Sequence, residues 1–374
     1  MKKIRILQFP VSNSKGGITQ YVLQNWEFID KTKFQFDFAT MSKQLSFADV
    51  LESDNCKIHY ISCYAEDNSE VFTREFRTIL KEGCYDVVHI HTKQWKSFVV
   101  EQIAKELGVK KVIVHAHATG IDTNDETKRK KEEALHNFIL GQLTENLATD
   151  FWACSNTAAD FIFASQISKQ KIKIMNNAID LLKYVYKPEI RQEYRKKLGI
   201  SVDDFVIGNV GRFAYSKNHI FLIQVFNCLC KMNNKKYKLL LVGTGTKIEE
   251  CIELVNKYNI KENVIFAGFR TDIPELLQVM DVFCMPSLFE GLPLALIEAQ
   301  ISGLPCIVSE TVTNEAIIDE NIIQLDFNLE SWKNEIIKCS IKSYFRKSQV
   351  EKMAKAGYDI RKQIKRLEQE YLII

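Results

Sequence analysis

Between Asp281 and Ser309 the chain reads DVFCMPSLFEGLPLALIEAQISGLPCIVS, and the polarity of this stretch decides the fold. Val282 to Met285 is a short unbroken apolar run, the pattern of a strand buried on both faces of a parallel sheet. Pro286 breaks it, and an acidic loop follows, Phe289-Glu290-Gly291-Leu292-Pro293. The spacing predicts a helix from about Leu294 to Ile301, a Ser-Gly-Leu-Pro break, and a second buried strand over Cys306-Ile307-Val308. Two glutamates, Glu290 and Glu298, stand around the helix start. Glu298 lies mid-helix beside Leu296 and Ile297, where burying an unpaired charge is costly, so it requires a partner. Gly291 and Pro293 combine bare backbone and a preset φ at a place where free helix N–H groups meet an anion.

The same alternation extends outward in both directions. Towards the N-terminus the predicted strands are Ile4–Phe9, Phe36–Thr40, Lys57–Ile61, Asp86–His91, Lys111–His117, Asp150–Cys154 and Lys171–Asn176, with helical stretches between them. A second series begins at Phe205–Gly211 and continues through Lys238–Val242 and Asn263–Ala267 into the opening stretch. Strands alternating with helices argue an α/β chain with doubly wound parallel sheets. A charged segment, Tyr184 to Gly199, separates the two series, and the expected domains are residues 1–182 and 200–345. Ile364, Leu367, Tyr371 and Leu372 form an apolar stripe at helical spacing near the C-terminus.

At 374 residues two domains are expected rather than one core. A net charge of +3, balanced up to Asp180 and only slightly basic beyond, lacks the basic footprint of a nucleic-acid binder. The 10 cysteines have no Cys-x-x-Cys spacing and sit in apolar runs such as Phe283-Cys284, so they read as small buried hydrophobes in a reducing compartment. No stretch approaches the roughly 18 apolar residues that span a bilayer, and the N-terminal apolar run is too short for a signal peptide. A cytoplasmic protein is the expectation.

Three constellations carry chemistry. Val210-Gly211-Arg212 ends a strand, and Lys217-Asn218 opens the next helix; two cations beside helix N–H groups suit a diphosphate. The Glu290-Gly291-Leu292-Pro293 loop adds N–H groups, and carboxylates able to accept hydroxyl donors from a sugar. In the first half, His89-x-His91 and His115-x-His117 each put two imidazoles on one face of a strand. A different class, a metal-dependent hydrolase using the His-x-His pairs for Zn or Fe, is the alternative. It lacks carboxylate partners and leaves Arg212, Lys217 and both glutamates idle. Neither a Gly-x-Gly-x-x-Gly nor a P-loop pattern occurs, which argues against dinucleotide oxidoreductases and ATPases. Asp-x-Asp is absent too.

Gly16-Gly17 after the first strand, His117 in His-Ala-His, Asn177-Ala178-Ile179-Asp180, Val210-Gly211-Arg212 with Lys217-Asn218, Gly243-Thr244-Gly245, and Phe289-Glu290-Gly291-Leu292-Pro293 through Glu298-Ala299 occur in this order. Together they resemble the retaining glycosyltransferases of the GT-B fold, glycosyltransferase family 4, and in particular its bacterial capsular and exopolysaccharide members. The resemblance spans Gly16 to about Ser309. It implies two Rossmann-like domains facing a central cleft, with a C-terminal helix of about 350–374 crossing back to the first, acceptor-side domain. It also implies transfer of a sugar from a nucleoside-diphosphate sugar, a UDP-sugar before GDP or ADP, to a saccharide or lipid-linked saccharide in cell-surface polysaccharide biosynthesis. Lipid-linked acceptors would bring peripheral contact with the inner face of the membrane. No cofactor and no metal is implied, because protein cations replace the metal.

Position by position, the resemblance assigns Arg212 and Lys217 to the diphosphate, Glu298 to the ribose hydroxyls and Glu290 to the transferred sugar. Gly291 and Leu292 would offer N–H groups to the distal phosphate, and Phe269 and Arg270 would border the base. His117 would face the donor sugar, Gly16 and Gly17 would approach the diphosphate, and the Gly243 loop would lie beside the nucleotide. Two positions depart from the family pattern: Ala178 stands where glycine is usual, and Thr244 where an acid is common. A GT-B-shaped module that binds a nucleotide or a partner without catalysis is the remaining alternative, and the intact set Arg212, Lys217, Glu290 and Glu298 argues against it.

Overall fold

The computed structural model describes residues 2–13, 16–123, 125–232, 236–342 and 345–374. They form two compact units. The first comprises Met1–Ile121, Glu126–Ile179 and Gly357–Ile374; the second comprises Asp122–Asp125 and Asp180–Ala356.

In the first unit the strands are β1 (Ile4–Phe9), β2 (Phe34–Thr40), β3 (Ile58–Tyr60), β4 (Val87–Thr92), β5 (Lys111–Ala116), β6 (Asp150–Ala153) and β7 (Ile172–Ile174). They make one sheet in the order β3-β2-β1-β4-β5-β6-β7, every pair parallel. Such strands carry apolar side chains on both faces because helices cover both. Phe34, Phe36 and Phe38 pack one face, and Leu7, Phe9, Val88 and Ile90 pack the other.

The last helix, Ile360–Leu372, belongs to this sheet although it closes the chain. Ile364, Leu367 and Tyr371 join the cluster of Phe34, Phe36 and Trp152, and each such burial is worth about 1.5–3 kcal/mol. Lys111 Nζ donates to the carbonyls of Glu370 and Ile373 at 2.9 and 3.0 Å, a cation meeting the negative end of the helix. The charge pattern alone predicts one helical segment from about Val350. The structure divides it: Val350–Lys355 stays with the second unit, and the chain turns at Gly357 (φ +92°) before Asp359 caps the returning helix. A glycine takes that backbone at no steric cost, which is why the break falls there.

The second unit has β8 (Phe205–Val210), β9 (Tyr237–Val242), β10 (Val264–Gly268), β11 (Val282–Met285), β12 (Cys306–Ser309) and β13 (Ile322–Leu325). Their order is β10-β9-β8-β11-β12-β13, again parallel throughout. The charged segment after Tyr184 is part of this unit, as the helix Pro188–Lys197. Arg191 and Arg195 both reach Asp281, which also accepts from the Val206 backbone at 2.7 Å, so a half-buried charge set fastens that helix to the sheet.

Each sheet reverses its winding once, between β1 and β4 and between β8 and β11. Open α/β sheets bind ligands beyond the carboxyl ends of the strands at such a reversal. The residues of interest stand there.

Candidate active site

Arg212 and Lys217 follow β8, and Glu290 follows β11, its neighbour across the reversal. The Lys217 ammonium pairs with the Glu290 carboxylate, and Ser287 Oγ donates to the same Glu290 oxygen at 2.7 Å. A backbone bond from Leu288 N to Ser216 O, 2.7 Å, ties the two loops together. Ser287 is held in turn: its carbonyl accepts from Ser309 and Thr311 hydroxyls.

Arg212 shows what this strand end binds. Its guanidinium grips the carboxylate of Asp122, and the other Asp122 oxygen accepts from Ser216 N at 3.3 Å. An anion thus sits between an arginine and the N–H of a helical turn, the arrangement that receives phosphate. Asp122 is a residue that sequence reading misses, because nothing in Thr119-Gly120-Ile121-Asp122 marks it as a partner of a loop 90 positions away.

Glu298 is buried, 9% exposed, in the helix Leu294–Ile301. The Tyr184 hydroxyl donates to it at 2.8 Å. Burial raises its pKa to about 7, and the tyrosine bond only partly offsets that. The partner that the sequence demanded is therefore Tyr184, a neutral donor rather than a cation.

Gly243 and Gly245 serve close packing. At Gly243 (φ +142°) an added Cβ would lie 2.0 Å from the Gly211 carbonyl oxygen, and at Gly245 (φ +155°) 2.4 Å from that of Phe213. The glycine loop is laced to the arginine loop through Phe213 N to Thr244 O, 2.9 Å, and Lys247 N to Phe213 O, 3.0 Å. Phe269 is 58% exposed beyond β10, with Arg270 next to it held by Asp272 at 2.7 Å. Gly291 is partly buried and Leu292 buried in the acidic loop.

In the first unit Gly16 and Gly17 are exposed at the start of the helix Gly17–Phe28, with open space where a Gly17 Cβ would stand. The four strand histidines gather into one buried group. His89 Nε2 lies 3.1 Å from His115 Nδ1, and His91 Nδ1 lies 3.0 Å from His117 Nε2. Burial, with neighbouring imidazoles, holds His89, His115 and His117 well below the ordinary histidine pKa; burial alone takes His91 to about 3. Among the described residues His89, His91 and His115 are close enough to share a metal ion. Their facing nitrogens are instead matched to one another, to Gln8 and to Tyr371, and the group has no carboxylate. The set fits a hydrogen-bonded core of the strand ends better than the catalytic centre of a hydrolase.

Residues 16–178 match the model of a glycosyl transferase 4-like domain, and residues 190–359 match that of glycosyl transferases group 1. The Bacillus subtilis protein named putative glycosyltransferase EpsF is 30% identical over 96% of this chain and 94% of its own. This chain belongs to the glycosyltransferases.

A further relative, an Escherichia coli enzyme named UDP-Gal:alpha-D-GlcNAc-diphosphoundecaprenol alpha-1,3-galactosyltransferase, shares 26% identity over 90% of this chain and 88% of its own. The crystal structure of Anabaena HepE with UDP and glucose superposes with a TM-score of 0.77 over all of both chains at 16% identity. At that identity the likeness concerns architecture, and it makes the fold of this glycosyltransferase GT-B. Membership of the glycosyltransferases takes the footing from the hydrolase alternative. Among the described residues no helix of the glycosyltransferase is long and apolar enough to cross a membrane.

Proposed function

We propose that this glycosyltransferase is a retaining enzyme that moves a hexosyl group from a UDP-sugar to a saccharide or lipid-linked saccharide in cell-surface polysaccharide biosynthesis. The observation that carries the proposal is the anion held by Arg212 and Ser216 N–H at the end of β8, with a second cation, Lys217, on the same turn. A diphosphate would take the place of the Asp122 carboxylate there. As the bond between the anomeric carbon and the diphosphate oxygen breaks, charge builds on the leaving UDP, and two fixed cations stabilise it without a metal.

The remaining roles follow from chemistry and position. Glu298 would accept from the ribose hydroxyls, Phe269 and Arg270 would border the uracil, and the Gly243 loop would close in beside the nucleotide. Displaced from Lys217, Glu290 would accept from hydroxyls of the transferred sugar, with Gly291 and Leu292 N–H on the distal phosphate. Gly16 and Gly17 would approach the diphosphate, and His117 would bond a hydroxyl of the sugar. For the acceptor, a cavity of about 460 Å³ in the first unit, lined among others by Tyr64, Glu66, Lys93, Gln94 and Lys96, offers aromatic and polar surface suited to a saccharide. UDP as donor is supported by the UDP bound to HepE, and a lipid-linked acceptor by the diphosphoundecaprenol saccharide in the galactosyltransferase's name.

Incubation with UDP-glucose, UDP-galactose or UDP-N-acetylglucosamine and a diphosphate-lipid-linked sugar tests this. One donor should yield an elongated product with the anomeric configuration of the donor, read from the anomeric proton coupling. An inverted product, or turnover confined to GDP- or ADP-sugars, would overturn it.

A further inference from the structure

His117 ends a chain of polar side chains that runs back to the last helix. Gln8 stands on β1, His89 and His91 on β4, His115 on β5 with His117 just beyond it, and Tyr371 on the helix Ile360–Leu372. All lie in the first unit. Gln8 Oε1 is 2.8 Å from His91 Nε2, and Gln8 Nε2 is 3.1 Å from the Tyr371 oxygen. The Tyr371 oxygen is 2.7 Å from His89 Nδ1. With the His89–His115 and His91–His117 contacts, six side chains form two branches that meet at Tyr371 and Gln8.

Burial keeps these imidazoles neutral, and a neutral imidazole has one donor and one acceptor nitrogen. One fixed proton therefore fixes all the others. The Gln8 carbonyl oxygen can only accept, so His91 carries its proton on Nε2 and accepts at Nδ1. His117 must then donate from Nε2, which leaves His117 Nδ1 a bare lone pair. On the other branch the Gln8 amide donates to Tyr371, and the single Tyr371 proton goes to His89 Nδ1. His89 donates to His115 Nδ1, so the His115 proton stays on Nε2.

Turning the Gln8 amide over would reverse every bond in the chain. At the far end His115 Nε2, like His117 Nδ1, is buried with no hydrogen-bond partner among the described residues. The direction is therefore set at Gln8, whose Oε1 faces His91 and whose Nε2 donates to Tyr371. The Tyr371 hydroxyl, which accepts from that Nε2, holds the amide this way round. At the near end, His117 Nδ1 is buried with no partner among the described residues, an acceptor that awaits a hydroxyl.

We propose that Tyr371 is a positioning residue, which through Gln8 and His91 holds His117 with its proton on Nε2 and its bare Nδ1 ready to accept from a sugar hydroxyl. The last helix thus contributes proton placement at the strand end as well as apolar cover for the sheet. This rests on the reading of His117 as a group that contacts the transferred sugar.

The test uses full-length protein labelled with ¹⁵N-histidine. The chain has only 7 histidines, and loss of one set of signals in His117→Gln assigns His117. Long-range ¹H–¹⁵N spectra of the unsubstituted protein should show its proton on Nε2. In Tyr371→Phe the His117 nitrogens should move towards averaged shifts. Turnover of the UDP-sugar should fall about tenfold, the worth of one well-placed hydrogen bond, with KM for the donor unchanged. A proton on Nδ1 of His117 in the unsubstituted protein overturns the proposal, and that reading needs no variant to fold. So does a Tyr371→Phe protein whose His117 keeps a single unaltered tautomer. If the tautomer shifts as expected yet no UDP-sugar is ever turned over, the relay stands and the assignment of function falls.

Discussion

Replacing Glu298 by glutamine probes the ribose site and its energetic cost together. The side chain is buried with a single donor among the described residues, Tyr184 at 2.8 Å, and its pKa is raised from 4.5 to about 7, chiefly by burial. The folded protein therefore holds this proton over a range in which the unfolded chain has released it. Between pH 4.5 and about 7 the folded state binds more protons, so the stability Glu298 contributes declines as pH rises and levels off above about 7. The gap from 4.5 to about 7, at about 1.4 kcal/mol per tenfold in proton affinity, amounts to about 3 kcal/mol. Glutamine keeps an acceptor for Tyr184 and cannot ionise. Chemical denaturation of the unsubstituted protein and Glu298→Gln at pH 4.5 and pH 8 should therefore give a difference that grows by about 3 kcal/mol in favour of the variant. UDP binding should show the reverse: the ratio of the unsubstituted protein's affinity to the variant's rises with pH through about 7, as the carboxylate becomes the better acceptor, the ionisation of the UDP phosphate being common to both. Parallel stability curves would refute the buried, proton-holding state of Glu298.

Two further outcomes follow from the same geometry. Asp122→Asn removes the anion from Arg212, and since Arg212 is 59% exposed the pair is worth at most about 1 kcal/mol. UDP affinity measured by calorimetry should rise by a few fold at low salt, the gain shrinking at high salt; weaker binding would mean that Asp122 holds the loop in shape. Gly243→Ala drives a Cβ to 2.0 Å from the Gly211 carbonyl at a φ of +142°. The two loops must part, and scanning calorimetry should record a midpoint several degrees lower, about 1–3 kcal/mol of strain.

The architecture was legible because its signals are local. Short apolar runs such as Val282–Met285 and Cys306–Val308 have no polar face to show, so they must be buried on both sides, and both are parallel strands. β13, Ile322–Leu325, escaped because it is an edge strand whose Ile323 and Gln324 are exposed, and its pattern resembles a loop. The C-terminal stripe of Ile364, Leu367 and Tyr371 was readable as apolar spacing, whereas the division before it depends on one glycine in a charged run.

In the candidate site the charged residues stood out, and their present partners did not. Lys217 and Glu290 are each recognisable as chemistry, yet their pairing depends on two strands, β8 and β11, meeting across a reversal. Tyr184 and Asp122 are ordinary residues in sequence and become partners only through folding. Gly243 read as a ligand-side glycine, and the backbone of Gly211 gives it an additional structural reason. The histidine pairs read as possible ligands of a metal and are one hydrogen-bonded network, with His91 paired to His115 across the β4–β5 ladder.

The central claim is that Arg212 and Lys217 form a diphosphate site. Titration calorimetry with UDP, without added metal, on the unsubstituted protein and on Lys217→Ala tests it most directly. The account predicts one UDP per chain, and affinity reduced about tenfold or more in the variant, the loss of one charge-assisted contact. No heat of binding from UDP, or equal affinity in the two proteins, would contradict it.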